Sequence, residues 1–344
     1  MVVSPEPQPG VVEDRRIPAL TLDAWRRFVD DDPLVFRCLP TDEWRALDGR
    51  ERMKYDEFRM DYHSELIVLE TSTVKQVMRQ GRLLTILNKR ESSARRGLIV
   101  SGEWATGKST AIKQLGRAHE LRIRNQYADP ERIPVVYITA PPKGSPKKLA
   151  AQFAKFLGMP PFGQRANEID IADAVCRVLT DARTDLVIVD EIHNVNLATS
   201  QGEDLSDHLK YFTEHLPCTF IYAGINVESS GLFTGIRGKQ IEARCVMTRT
   251  GKFPYQAEWL SLVRAMEAAL RLHRHQDGDL AKRAKYLHQR TGGSISSLSH
   301  LIRAAAILAI VDGQEAITSE ILDEVELDHA AESTAPSRRR RGKG

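Results

Sequence analysis

"GLIVSGEWATGKSTAIKQLGRAHE", residues 97–120, decides the fold. The apolar run Leu98-Ile99-Val100 leads into Gly102-Glu103-Trp104-Ala105-Thr106-Gly107-Lys108-Ser109, whose spacing is G-x-x-x-x-G-K-[ST]. A helical pattern follows, with Ile112, Leu115, Ala118 and Leu121 on one predicted apolar stripe. Glycines at both ends of the loop let backbone N–H groups turn inward around phosphate oxygens. Lys108 then places a charge on β- and γ-phosphates, Ser109 a hydroxyl on Mg²⁺, and the helix start adds its dipole. Gly102, Glu103, Trp104, Ala105, Thr106, Gly107, Lys108, Ser109 and Thr110 are therefore the expected nucleotide contacts. The bland alternative is a surface turn that carries a lysine. Such a turn needs no strand before it and no helix after it, and this sequence has both.

Working outward, three more short apolar runs recur between helical patterns: "PVVYITAP" (134–141), "DLVIVDE" (185–191) and "CTFIYAGI" (218–225). Rich in Val and Ile and apolar on both faces, they read as strands of a covered parallel sheet, hence an α/β fold. The third run ends in Asp190-Glu191. An acidic pair after a strand is often only a solvated strand end. Behind a phosphate loop it reads as Asp190 holding the water shell of Mg²⁺ and Glu191 polarising an attacking water, which favours hydrolysis of ATP over binding alone. In "FIYAGINVESSGLFTG" (220–235), Asn226 follows the next strand, where its amide would orient that water; a turn-forming Asn is the alternative. His193, just after the acidic pair, is open between a sensing role and a capping or packing one.

The remaining chain sets the boundaries. Residues 1–18, Pro-rich and acidic, read as a disordered lead; 19–80 as a mostly helical partner-binding region; 81–253 as the αβα nucleotide-binding domain; 254–330, without strand-like runs, as an all-helical lid; and 331–344, ending in "SRRRRGKG", as a disordered basic tail. Thr71 or Ser72 is the expected cap of a helix carrying Val74, Val77, Met78 and Leu84. Four scattered cysteines exclude a CxxC metal or redox pair and fit a reducing cytoplasm. With no apolar run of about twenty residues, no membrane span is expected. A net charge of only +3 makes any nucleic-acid binding a matter of local patches. Lys143, Lys147 and Lys148 cluster on a Pro/Gly loop leading into a helix and are the candidate DNA-phosphate contacts; a solvated lysine loop is the alternative. "NKRESSARR" (88–96) and the tail are further basic candidates, and nothing reads as base recognition.

With these anchors in order, the chain resembles AAA+ ATPases, and within them the TniB/TnsC-type ATPases of transposons, relatives of MuB and IstB. The resemblance runs over roughly residues 80–328 and rests on the loop quoted above, "VYITAPPKGSPKKLAAQFAKFLGMP", "VIVDEIHNV" and "LKYFTEHLPCTFIYAGINV". It implies a parallel five-stranded αβα sheet, the fifth strand near "CVMT", followed by a helical lid. It implies ATP and Mg²⁺ as cofactors and an oligomer, ring or filament, on DNA held without sequence preference. The implied protein partners are a DDE transposase, recruited and activated, and a target-selection protein of TniQ type; ATP hydrolysis disassembles the oligomer. It places Asn226 at a sensor position and expects an arginine finger acting on the neighbour's γ-phosphate, for which Arg244 in "EARC" is the first choice and Arg237 the second. One departure stands out. Many AAA+ lids carry a nucleotide-touching arginine in a G-x-x-R pattern, whereas "GSISSL" (293–298) has Ser296 near that place, flanked by Arg290 and Arg303. Two other readings remain at this stage. One is a different DNA-associated AAA+ machine, such as a helicase loader, and motor motifs or a zinc module would favour it. The other is a STAND-like signalling ATPase switch, and effector repeats would favour that.

Overall fold

The computed structural model describes residues 17–65, 68–142, 145–163, 167–194, 200–229 and 235–328. The lead up to residue 16, Lys143 and the basic tail lie outside the described residues. Five strands, β1 (Gly97–Gly102), β2 (Val135–Thr139), β3 (Leu186–Asp190), β4 (Thr219–Gly224) and β5 (Cys245–Thr250), form one sheet in the order β2-β3-β4-β1-β5. Every pairing is parallel. The expected five-stranded parallel sheet is thus observed, with the fifth strand at "CVMTRT". The inner strands are buried on both faces, so alternation is missing from their sequence; β5, on the edge, is only partly covered.

Fourteen α-helices accompany the sheet among the described residues: α1 (Leu22–Asp30), α2 (Thr41–Ala46), α3 (Gly49–Ser64), α4 (Ser72–Leu87), α5 (Lys108–Gln126), α6 (Pro146–Phe156), α7 (Glu168–Asp181), α8 (Ser200–His215), α9 (Gly235–Arg244), α10 (Ala257–Ala268), α11 (Asp279–Lys282), α12 (Ala284–Thr291), α13 (Ile295–Val311) and α14 (Ser319–Glu324). Two hydrophobic cores result. One unites the strands with α1 and α4 to α8; the other is confined to Phe253 and the lid helices α10 to α14. A parallel sheet points all its strand C-termini to one edge, and β4 lies between β1 and β3. The glycine-lysine loop after β1 and the Asp190-Glu191 pair at the end of β3 therefore lie on the same rim.

The residues expected as one N-terminal region, 19–80, are divided between the sheet domain and the lid. Helix α1, capped by the Thr21 hydroxyl, buries Trp25 and Val29 against the sheet domain. Helix α3 instead joins the lid. Arg59, fully buried, pairs with Glu315 at 2.6 Å, the Tyr62 hydroxyl donates to the Ala269 carbonyl at 3.0 Å, and Arg303 donates to the His63 carbonyl at 3.1 Å. Helix α4, capped by Thr71, packs Val77 and Leu84 into the sheet-domain core and runs through the boundary expected at residue 80. The buried face of α5 also differs from the predicted stripe. Ile112, Leu115, His119, Glu120 and Ile123 are buried, while Ala118 is exposed. Glu120 goes inside because it accepts the Trp25 indole N–H and pairs with Arg124, so α1 supplies the cover that makes a charged residue tolerable there.

Candidate nucleotide-binding site

The loop after β1 is held in shape by the edge strand. A Cβ at Gly102 would lie 2.2 Å from the Thr250 carbonyl oxygen, so only glycine allows β1 and β5 to close this tightly. The Thr250 hydroxyl meets the Thr106 hydroxyl at 2.7 Å, and Thr106 donates to the Glu103 carbonyl at 2.8 Å. Gly107 caps α5 in the left-handed region, φ 84°. Lys108 is buried, its ammonium donating to the carbonyls of Gly102, at 3.0 Å, and Glu103. Burial lowers its pKa, and the nearby Glu191, Asp190 and Glu103 offset only part of that.

A cavity of about 300 Å³ opens over this loop. Trp104, Ala105, Thr106, Gly107, Lys108, Ser109 and Thr110 line it, whereas Gly102 and Glu103 serve beneath it as acceptors for the lysine. Trp104 is 57% exposed at its edge. Leu69, Thr71 and Val74 close one side; Phe253, Met266, Ile295, Ser296 and Ser299 come from the lid side. The Ser294 hydroxyl donates to the Ala105 carbonyl at 3.3 Å, tying α13 to the loop. The cavity size and its few polar groups fit a small-molecule site.

Of the acidic pair, Glu191 lines the same cavity and Asp190 is buried. Asp190, 3% exposed, accepts the Glu191 N–H on Oδ1 at 2.8 Å and the Tyr137 hydroxyl on Oδ2 at 2.7 Å. Burial and then the Asp190 charge push the Tyr137 phenol up, which keeps it a donor. Glu191 lines the cavity with φ 56°. His193 Nε2 lies 3.3 Å from Glu191 Oε2, while its Nδ1 accepts the Ile225 N–H at 3.1 Å. An accepting Nδ1 leaves Nε2 carrying the proton on the side that faces the Glu191 carboxylate. No cluster of three metal-ligating side chains occurs among the described residues. A buried carboxylate with both oxygens fixed, close enough to Lys108 to influence it, together with the Ser109 hydroxyl, is what Mg²⁺ requires when phosphates and water complete its shell.

The turn after β4 is pinned from below. Ser101 Oγ accepts the Val227 N–H at 2.9 Å and donates to Glu228, which Arg249 pairs at 3.2 Å. Asn226 has φ 42° and is exposed; Ile225, rather than Asn226, lines the cavity.

The family model described as "Bacterial TniB protein" matches residues 59–245, more than half of the chain. The chain belongs to the TniB family. No curated protein matches it. Among solved structures it is similar to the ADPNP–ADP form of ORC2 from Aeropyrum pernix (TM-score 0.55, 17% identity, covering 72% of this chain and 65% of that one). It is also similar to A. pernix ORC1 in complex with DNA (TM-score 0.57, 15% identity, 79% and 67%) and to the ADP form of ORC2 (TM-score 0.59, 18% identity, 76% and 70%). At these identities the likeness is one of fold, and the chain spans about two thirds of each neighbour's length. The fold is that of AAA+ ATPases, with a helical region after the sheet domain, as expected.

The TniB match ends where β5 begins, beside Arg244. Arg244 is exposed at the end of α9 and, among the described residues, has no carboxylate partner. Cys245 pairs with Gly97 at the start of β1, five residues before Gly102. Arg244 thus lies ~17 Å along the strands from its own phosphate loop. It shares a shallow notch of about 50 Å³ with Arg95, Arg96 and Lys210. Arg237 lies in α9, with its side chain outside the described residues. Lys147 and Lys148 are exposed in the first turn of α6, whose N-cap Ser145 accepts the Lys148 N–H at 3.3 Å. In the lid, Ser296 lines the cavity, while Arg290 donates to the Leu322 and Val325 carbonyls and Arg303 holds α3. Among the described residues Lys108 is the only cationic side chain lining the cavity. No single described helix is long and apolar enough to cross a membrane. Tyr137, Thr250, Ser101 and Ser294 escaped the sequence reading. Each is an ordinary residue in its segment and gains a role only through a partner at least 53 positions away.

Proposed function

We propose that this TniB-family protein is an ATP-dependent regulator of DNA transposition. It assembles as a homo-oligomer on target DNA, recruits and activates a DDE transposase, and is released when ATP is hydrolysed. One observation carries the reading: the Gly107-Lys108-Ser109 loop and Glu191 line one cavity, with Asp190 buried close enough to influence Lys108, in a chain of this family. Mg²⁺, when bound, supplies charge neutralisation at the phosphates, and Ser109 and Asp190 are the residues that would hold it. Lys108 sits beneath the β- and γ-phosphates. Glu191 takes the proton of the attacking water, and His193 keeps its carboxylate turned toward the cavity. Arg244, remote from its own loop, acts on a neighbouring copy, adding charge where the transition state develops it. Asn226, on the turn whose Ile225 lines the cavity, is the proposed sensor of the water.

Lys147 and Lys148, with Lys143 on the loop before them, meet DNA phosphates without reading sequence. The complex of the fold neighbour ORC1 with DNA supports a DNA partner for this fold. A TniQ-type protein is the further partner proposed. The test is co-sedimentation with DNA of unrelated sequences in ADP, in ATP and in a non-hydrolysable analogue. ATP-dependent assembly on every DNA, reversed by hydrolysis, is expected; a protein that stays monomeric and indifferent to DNA in all three overturns the reading.

A further inference from the structure

The carboxylate assigned to the metal is not free to turn, and what holds it leads out of the site to the N-terminal helix. Asp190 Oδ1 is taken by the Glu191 N–H and Oδ2 by the Tyr137 hydroxyl. In the β2–β3 register Tyr137 stands opposite Ile188 and Thr139 opposite Asp190, so the phenol reaches diagonally along its partner strand. Its ring stacks on the Trp25 indole, with centroids 5.6 Å apart and planes 10° apart, and the Lys113 ammonium lies 5.1 Å from the ring centroid. Trp25 is itself fixed: fully buried, it donates through Nε1 to Glu120 and packs over Gly116, where a Cβ would come within 2.7 Å of the indole. An unbroken series of contacts thus joins α1 to the end of β3.

We propose that Tyr137 is a positioning residue for the metal-holding carboxylate, and that α1, through Trp25, completes the ATPase site from outside the sheet domain's own sequence. The proposal rests on the ATPase reading given above. A carboxylate on a single Cα–Cβ stem rotates freely unless both oxygens are engaged. The two bonds here fix its plane and leave one lone-pair direction on each oxygen for the water shell of the ion. Without the phenol, Oδ2 keeps its charge and loses its donor in a buried place, and the carboxylate turns to find another. Such outer partners are worth ~10- to 100-fold in metal affinity. Asp190 acts through water, so the lower end applies.

The test uses the full chain, a fluorescent ATP analogue and a Mg²⁺ titration, with nucleotide binding in EDTA and thermal unfolding measured alongside. Tyr137→Phe keeps the ring and its stacking and removes only the hydroxyl. Its half-saturating Mg²⁺ should rise about 10-fold with unchanged nucleotide affinity in EDTA. A residue that merely packs would shift the unfolding midpoint and leave the Mg²⁺ requirement within about twofold of wild type, which overturns the proposal. Trp25→Phe, which keeps an aromatic over the ring, should raise the Mg²⁺ requirement in the same direction; no change there removes α1 from the site. If wild-type binding shows no dependence on Mg²⁺, the metal reading of Asp190 fails, and this proposal with it. A dependence in wild type that Tyr137→Phe leaves untouched sinks this proposal alone.

Discussion

Three residues around the cavity, Ala105, Glu191 and Asn226, hold φ of 59°, 56° and 42°. For a residue with a Cβ this conformation costs roughly 1–2 kcal/mol, and among the described residues only Arg183 and Glu315 share it outside the site. Strain gathered at one cavity marks positions where direction matters more than stability. At Glu191 the left-handed turn swings the side chain off the strand, where it lines the cavity and meets the His193 Nε2–H. Replacing Glu191 with Gln preserves shape and removes the proposed base. Nucleotide binding should persist, phosphate release should fall by about 10²- to 10³-fold, and DNA-bound assemblies should accumulate. Parallel assays of binding and phosphate release check this, and normal turnover in Glu191→Gln removes the residue from the chemistry.

Between elements, close approach sets the terms. Gly116 sits inside α5, where Ala would ordinarily gain about 1 kcal/mol. Trp25 occupies the space of that Cβ, with Ile188 Cδ1 at 3.0 Å on another side. Gly116→Ala should therefore lose roughly 1–3 kcal/mol by overpacking, read from urea unfolding. The α3–lid contact is expected to respond to pH. His63 is buried and accepts the Arg271 N–H on Nε2, and burial lowers its pKa to about 4 from 6.5, with Arg59, Arg271 and Arg303 acting in the same direction. A histidine neutral in the fold and protonated when unfolded stabilises fully above pH 6.5, and the contribution drains away as pH falls toward 4. The shift corresponds to roughly 3 kcal/mol at most. Unfolding midpoints recorded between pH 7 and 4 should drop, and drop less in His63→Gln.

At the scale of the molecule, Arg244 and the loop after β1 stand at opposite ends of two paired strands, which is why the proposal has Arg244 act on a neighbouring copy. Arg244→Ala should keep nucleotide affinity and lose assembly-dependent hydrolysis. Mixed one to one with Glu191→Gln, it should regain about a quarter of wild-type turnover, because random head-to-tail neighbours then pair an intact Glu191 with an intact Arg244. A mixture as inactive as its parts shows that Arg244 does not act across an interface; the same experiment with Arg237→Ala tests the second choice. The sequence by itself determined the sheet, the glycine-lysine loop, the acidic pair, the helical lid and a hydroxyl cap at Thr71 or Ser72, which the structure resolves to Thr71. Each is written in a contiguous stretch: apolar runs of strand length, a glycine-lysine spacing, two carboxylates at a strand end, a hydroxyl before a helical stripe. The family resemblance also put Ser296 near the place where many lids carry an arginine. Only the tertiary structure decided that α1 and α4 pack on the sheet domain while α3 joins the lid, that a charged α5 residue is buried under α1, and that Tyr137 and Thr250 hold the site's shape. Those facts depend on hydrogen bonds and ring contacts between segments far apart in the chain, such as Tyr137 to Asp190 and Trp25 to Glu120. Local propensity and periodicity carry no trace of such pairings, since their energy arises only when the chain has closed.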